Sequence, residues 1–279
     1  MASIPKLLTN QQEENTKIHY KSKVFLLTVH KGLDTHIIYI GGPHTYCINF
    51  QLYQENSIYK QFMDVSTCLL DHFYYDKLCS ISGGFQRGVD TALIFHLGIS
   101  YIKKNYTHIK KIKLKDYSTR ECNNGYSINL YEKFYITKGK TWYQDKYGAY
   151  LSDTDQQRFE TKHEQFNQKK QQIDWNTMKQ FIVSDILPNN IEEYYNQSNT
   201  WQDFFSKLEK NMGVATFGEF IAPWITTFLS SVLKYDFTAP YYYIDINNIT
   251  NMNYTQTGGG VDSKKYTRKR KMFSSRLLV

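Results

Sequence analysis

The chain contains no stretch that is both long and apolar enough to cross a bilayer. The nearest approach, residues 215–233, is interrupted by Glu219 and Pro223. No secretory signal is recognisable at the N-terminus, which turns polar within a few residues. Cysteine is scarce: Cys47, Cys68, Cys79 and Cys122 show no CxxC spacing. Free thiols in a reducing compartment are the resulting expectation. Cys68 and His72 lie four apart, but no second pair completes a tetrahedral metal site, so no metal is expected. Also missing are the serine nucleophile elbow and a phosphate loop ending in Lys-Ser or Lys-Thr. A cysteine protease would have to pair Cys79 or Cys122 with His30, His44 or His72, and no local signature singles out such a pair.

What the chain does have is aromatic mass and a concentrated charge. Its 279 residues include 24 Tyr and 17 Phe, rings that build a core where Leu and Val would otherwise serve. That length suits one large domain or two modest ones. Net charge is +8, and residues 261–279 carry seven Lys or Arg against Asp262, so nineteen residues hold +6 and the rest only +2. Lys264, Lys265, Arg268, Lys269, Arg270 and Lys271 form the centre of this basic tail. Such a cluster suits a nuclear-import signal, a contact with nucleic acid or another anionic surface, or a solvated tail.

Periodicity gives the organisation. Residues 1–20 read as a flexible leader. Val24–Val29, His36–Ile40 and Tyr46–Leu52 read as strands of an antiparallel meander, with a further run from Leu69 towards Ile81. Thr91–Lys104 reads as a helix with Leu93, Ile94, Leu97 and Tyr101 on one stripe, and Ile112–Lys115 as the next strand. Strand, loop, helix and strand in that order imply a right-handed crossover. A helix is expected around Ile128–Tyr135, broken at Lys138-Gly139-Lys140. Residues 152–174 read as a polar linker or solvated helix, and 175–248 as a helical region. Within it, Trp201, Phe204, Phe205, Leu208 and Met212 make an apolar stripe, Thr200 and Asp203 suggest a capping box, and Gly213 a C-terminal cap. Tyr241–Ile244 is a strand that returns to the sheet, and 249–279 a basic flexible tail with Gly258-Gly259-Gly260 as hinge. The fold class expected is α+β, a mixed and mainly antiparallel sheet with packed helices over residues 21–151, followed by the helical region.

The glycine loop Ile81-Ser82-Gly83-Gly84-Phe85-Gln86-Arg87-Gly88-Val89-Asp90-Thr91 leads into the first long helix. Glycines let a ligand approach the main chain, and the helix start offers free amides to an anion. The alternative is a tight turn whose helix is capped by Asp90, with its carboxylate on the amides a phosphate would need.

The order of loop, helix, strand and Trp142-Tyr143-Gln144-Asp145-Lys146-Tyr147-Gly148 resembles the central part of the acetyl-CoA-dependent N-acetyltransferase superfamily called GNAT. Gly88 takes the first glycine of that family's loop and Leu93-Ile94 its aliphatic pair, while Asp90 and Phe85 depart from the family pattern. The resemblance covers about seventy residues, near a quarter of the chain. It implies acetyl-CoA bound through Gln86, Arg87, Gly88, Val89, Asp90 and Thr91, an amine substrate, and Tyr143 as the acid that protonates the departing thiolate. Asp116, at a strand end, is the candidate general base. In texture the chain also resembles proteins of large nucleocytoplasmic DNA viruses, which implies host cytoplasm or viral factory, with virion or nucleus as further locations. The alternative function is a non-catalytic, virion-associated interaction protein that keeps the fold and uses the basic tail.

Overall fold

Alternating burial sets the first strands. The computed structural model describes residues 12–61, 64–73, 76–86, 89–116, 118–233 and 240–260. β1 (Gln12–Tyr20), β2 (Lys23–Lys31), β3 (Thr35–Gly41), β4 (Tyr46–Tyr53) and β5 (Thr67–Phe73) pair in sequence as an antiparallel meander. In β4, Ile48, Phe50 and Leu52 point to the core, while Asn49, Gln51 and Tyr53 face outward. The ladder with β5 then slips, because Phe50 aligns with Leu70 but Asn49 with His72. Asp71 is the extra residue of this bulge, and it turns Phe73 onto the core face, where its ring stacks on Phe95 at 5.7 Å.

Phe95 lies on α1 (Val89–Asn105), which crosses the sheet and delivers β6 (Lys111–Lys115) parallel to β5. The expected crossover is therefore present. α1 sits very close to the sheet: a Cβ on Gly98 would lie 2.3 Å from Phe50 Cε2 and 3.3 Å from Ile40 Cδ1.

A small ribbon of β7 (Thr119–Glu121) and β8 (Ser127–Asn129) leads into α2 (Leu130–Lys138), stopped by left-handed Gly139. α3 (Trp142–Tyr147), α4 (Asp153–Gln168), α5 (Trp175–Lys179), α6 (Ile191–Asn196), α7 (Trp201–Met212), α8 (Val214–Ile221) and α9 (Ile225–Leu233) follow. Trp201, Phe204, Phe205 and Leu208 of α7 are fully buried, with the Trp201 ring 5.0 Å from Phe228. Asp203 N–H donates to Thr200 Oγ1, as the cap predicts. β9 (Tyr241–Asp245) then pairs with β6, and β10 (Thr255–Gly260) with β1, both antiparallel. The eight strands run in the order β10-β1-β2-β3-β4-β5-β6-β9, so the architecture is α+β with a mixed, mainly antiparallel sheet.

Four expectations need correction. Residues 12–20, expected to be a flexible leader, form β1. Only Ile18 of that strand is fully buried, so its apolar signal is one residue wide. The Gly258–Gly260 hinge is part of β10, held by pairing with β1 rather than by its own side chains. The first helix of the region 175–248, expected to be helical, stops already at Lys179. Finally, Cys47 and Cys79 are joined in a disulfide, leaving Cys68 and Cys122 as thiols. The basic tail, Lys264 to Lys271, lies outside the described residues.

Candidate functional site

In an open sheet with a parallel pair, ligands sit beyond the carboxyl ends of the parallel strands. Here that end is formed by the loop after β5, the start of α1, Asp116 after β6 and the α3 block. Ladder pairing between β5 and β6 stops at Leu70 and Leu114, although β5 continues to Phe73. The bulge at Asp71 falls at the same level.

The loop is held at several points. The Cys47–Cys79 bond fixes its first half to β4. Ile81 N–H donates to Val24 O at 2.7 Å. Gly83 (φ 82°) is required where the chain crosses β2, since a Cβ there would lie 2.5 Å from Ser22 O. Lys23 Nζ donates to Gly83 O at 3.3 Å, to Gly84 O at 3.2 Å and to Asp90 Oδ2 at 2.7 Å. The same Asp90 oxygen accepts the Gln86 N–H at 2.5 Å, and Asp90 N–H donates back to Gln86 O at 2.9 Å. Asp90 is almost completely buried. Its carboxylate thus sits on a loop amide, with a β2 lysine as counter-charge. The alternative foreseen for Asp90 holds in part: its carboxylate occupies a loop amide, that of Gln86, but Asp90 lies within α1 rather than at its N-cap.

Of the expected cofactor residues, Gln86 has its amide engaged, Val89 is 64% exposed at the start of α1, and Asp90 caps the loop. Thr91 follows in the first turn of α1, and Arg87 and Gly88 lie outside the described residues.

Asp116 and Tyr143, expected as base and acid, are brought together. Asp116 is 1% exposed and Tyr143 3% exposed. Burial pushes the Asp116 carboxyl up to about 6, against hydrogen bonds from the Ser118 and Tyr143 peptide N–H groups. The Ser118 N–H reaches Asp116 Oδ1 at 3.1 Å, while Asp116 Oδ2 is buried without a hydrogen-bond partner. Burial, and then the Asp116 charge, drive the Tyr143 phenol far above its usual range, partly opposed by a hydrogen bond with Ser118. Tyr242 of β9 is buried alongside and raised in the same way, chiefly by burial. Tyr147, pushed up to about 12 by burial, packs its ring 4.7 Å from Phe95 of α1. Asp145 instead is held down at about 2 by hydrogen bonds from Lys140 and Lys138.

This second cluster is a protonatable carboxyl and a neutral phenol sealed from water. Neither group is open to a substrate in this conformation.

Two participants were not singled out from sequence. Lys23 carries no local signal, being 67 residues from Asp90. Ser118 does carry one, because Asp-x-Ser is the spacing of an Asx turn. Among the cysteines, Cys79 is consumed by its disulfide and is no nucleophile, and burial raises the Cys122 thiol. Among the described residues, no three His, Cys, Asp or Glu side chains converge as a metal site, and no helix is long and apolar enough to cross a membrane. No family model matches this chain, and neither a curated protein nor a solved structure is significantly similar to it.

Proposed function

We propose that this chain is a non-catalytic binding protein, a closed α+β scaffold that carries a basic tail for nucleic acid. The observation that carries this reading is the Asp90 carboxylate seated on the Gln86 amide and neutralised by Lys23. A phosphate brought to that loop would meet a buried negative charge, and displacing it would leave Lys23 without its counter-charge and the Gln86 N–H without its acceptor. The partner class follows from the tail, where +6 of the net charge lies within nineteen residues. Lysines and arginines at that density release counterions from a polyphosphate, which gives salt-sensitive, sequence-blind binding. The test is binding of full-length protein to labelled duplex DNA across a salt series. Glutamine at Lys264, Lys265, Arg268, Lys269, Arg270 and Lys271 is expected to abolish the salt slope. A native protein that leaves duplex DNA unbound at low salt contradicts the proposal.

A second reading is an acetyl-CoA-dependent N-acetyltransferase acting on an amine. It is favoured by one observation, the meeting of Asp116 and Tyr143 at the carboxyl end of a parallel strand pair joined by a crossover helix. In that reading Asp90 is displaced when cofactor binds, and Tyr143 becomes accessible as the general acid.

A further inference from the structure

The two faces of the sheet are unequal. α1 lies on the face of Ile40 and Phe50. On the opposite face, at the β6–β9 end, alternation brings out a different set. Lys111, Lys113 and Lys115 of β6 stand opposite Asp245, Tyr243 and Tyr241 of β9 in register. Their partners in alternation, Ile112, Leu114, Tyr242 and Ile244, are fully buried beneath. The lysines repeat along their strand at about 6.7 Å, two residue steps.

The rings here are accessible. Tyr241 is 39% and Tyr150 40% exposed, large values for tyrosines in a chain that buries most of its aromatic mass. Tyr150 is pinned beside β9 by reciprocal N–H···O bonds of 2.8 Å with Tyr243, and the two rings stack at 5.9 Å. Tyr150 thereby covers part of the sheet edge and extends the aromatic surface past it. Lys113 Nζ stands 4.1 Å and Lys115 Nζ 4.8 Å from the Tyr241 ring centre. Neither lysine forms an ion pair among the described residues. Carboxylates flank the patch: Asp245 opposite Lys111, Asp64 within reach of the Lys111 charge, and Asp71 in the β5 bulge.

We infer that this face binds single-stranded nucleic acid: Tyr241, Tyr243 and Tyr150 stack unpaired bases, and Lys113 and Lys115 take the adjoining phosphates. Exposed rings side by side and cations without carboxylate partners are the two components of a single-strand groove. A lysine resting on an exposed ring is held weakly, so a phosphate can recruit it without a large penalty. Duplex bases are already stacked on one another and cannot use the rings. The platform therefore predicts a preference that a basic tail alone does not. The inference rests on the proposed nucleic-acid function but concerns a different part of the molecule.

The test is fluorescence anisotropy of the full-length protein with labelled oligodeoxythymidine and with a duplex of the same length. The native protein is expected to favour the single strand. The Tyr241→Ala/Tyr243→Ala variant is expected to lose about tenfold or more in single-strand affinity and to keep its duplex affinity. Tyr241→Phe/Tyr243→Phe keeps the rings and is expected to bind like the native protein, which separates stacking from damage to the fold. Lys113→Gln/Lys115→Gln is expected to lower the salt slope on the single strand by roughly 1.4, or about 0.7 per lost contact. Equal affinity of the native protein for both probes, or native-like binding by the alanine variant, overturns the platform. If binding is then lost only on neutralising the tail, the tail proposal stands and the platform falls. If the native protein binds neither probe, both fall. Phosphatidylserine vesicles are the counter-probe: Tyr241-dependent binding to them without binding to oligodeoxythymidine overturns the assignment to nucleic acid.

Discussion

Lys23 Nζ lies 2.7 Å from Asp90 Oδ2, joining the first residue of β2 to the first turn of α1. One lysine thus ties the glycine loop and the start of α1 to β2. Asp90 is almost completely buried, whereas the Lys23 side chain is 23% exposed. Removing Asp90 leaves the Gln86 N–H and the lysine without their acceptor. Asp90→Ala is expected to destabilise the protein by about 2 kcal/mol or more. Lys23→Met is expected to cost at least as much, because it leaves the buried Asp90 carboxylate without its counter-charge. Urea denaturation of both variants checks this, and equal, negligible losses would show that the loop is not held by the pair.

Asp116 gives a pH signature. Its carboxyl titrates near 6 in the folded chain, above its ordinary range, because of burial. Between the unfolded and folded pKa values the native state binds the extra proton, so stability is fully present in acid and falls as pH rises through about 6. The loss amounts to about 3 kcal/mol by the linkage relation. Asp116→Asn is expected to flatten stability between pH 4 and 6 and to unfold at higher temperature than the native protein at pH 7.5. Thermal melts across this range provide the check, and an unchanged profile would place the titration elsewhere.

The Cys47–Cys79 bond closes a loop over a sequence separation of 32. Loop-closure entropy then contributes roughly 3–4 kcal/mol. Reduction, or Cys47→Ser, is expected to lower the urea midpoint accordingly, with earlier protease cleavage between residues 76 and 86. A midpoint indifferent to reductant would contradict the structural role.

At Gly98 the helix α1 approaches the sheet closely. Gly98→Ala should favour the helix on propensity alone. The added methyl would meet the Phe50 ring at 2.3 Å, however, and overpacking of that kind costs typically 1–3 kcal/mol. Net destabilisation in chemical denaturation is the expected outcome.

Much of the scaffold was legible in sequence where one residue type repeats at one spacing. Ile48, Phe50 and Leu52 announce β4, and the Trp201 stripe with Thr200 announces α7 in full. β1 was not legible because Ile18 alone carries its buried signal, and β10 because its glycines are ordered by pairing with β1. For the candidate site, the competing role of Asp90 was visible in its position at a helix start. Its lysine and the disulfide were not, since each joins residues far apart in the chain whose meeting depends on the finished sheet. Tyr143 was named through a resemblance and Asp116 from its place at a strand end, and their burial could not be foreseen from either residue. The Lys113 and Tyr241 surface was hidden differently. Its alternation was plain, but only strand pairing puts three lysines beside two tyrosines.

The glycine loop is where the two functional readings separate most cleanly. Isothermal titration of acetyl-CoA into the native protein tests it, with Asp90→Gly measured in parallel. No saturable heat from either protein is the predicted result, because the loop serves as a closed structural turn. Saturable one-to-one binding by the native protein would contradict it and make Asp90 a displaceable gate.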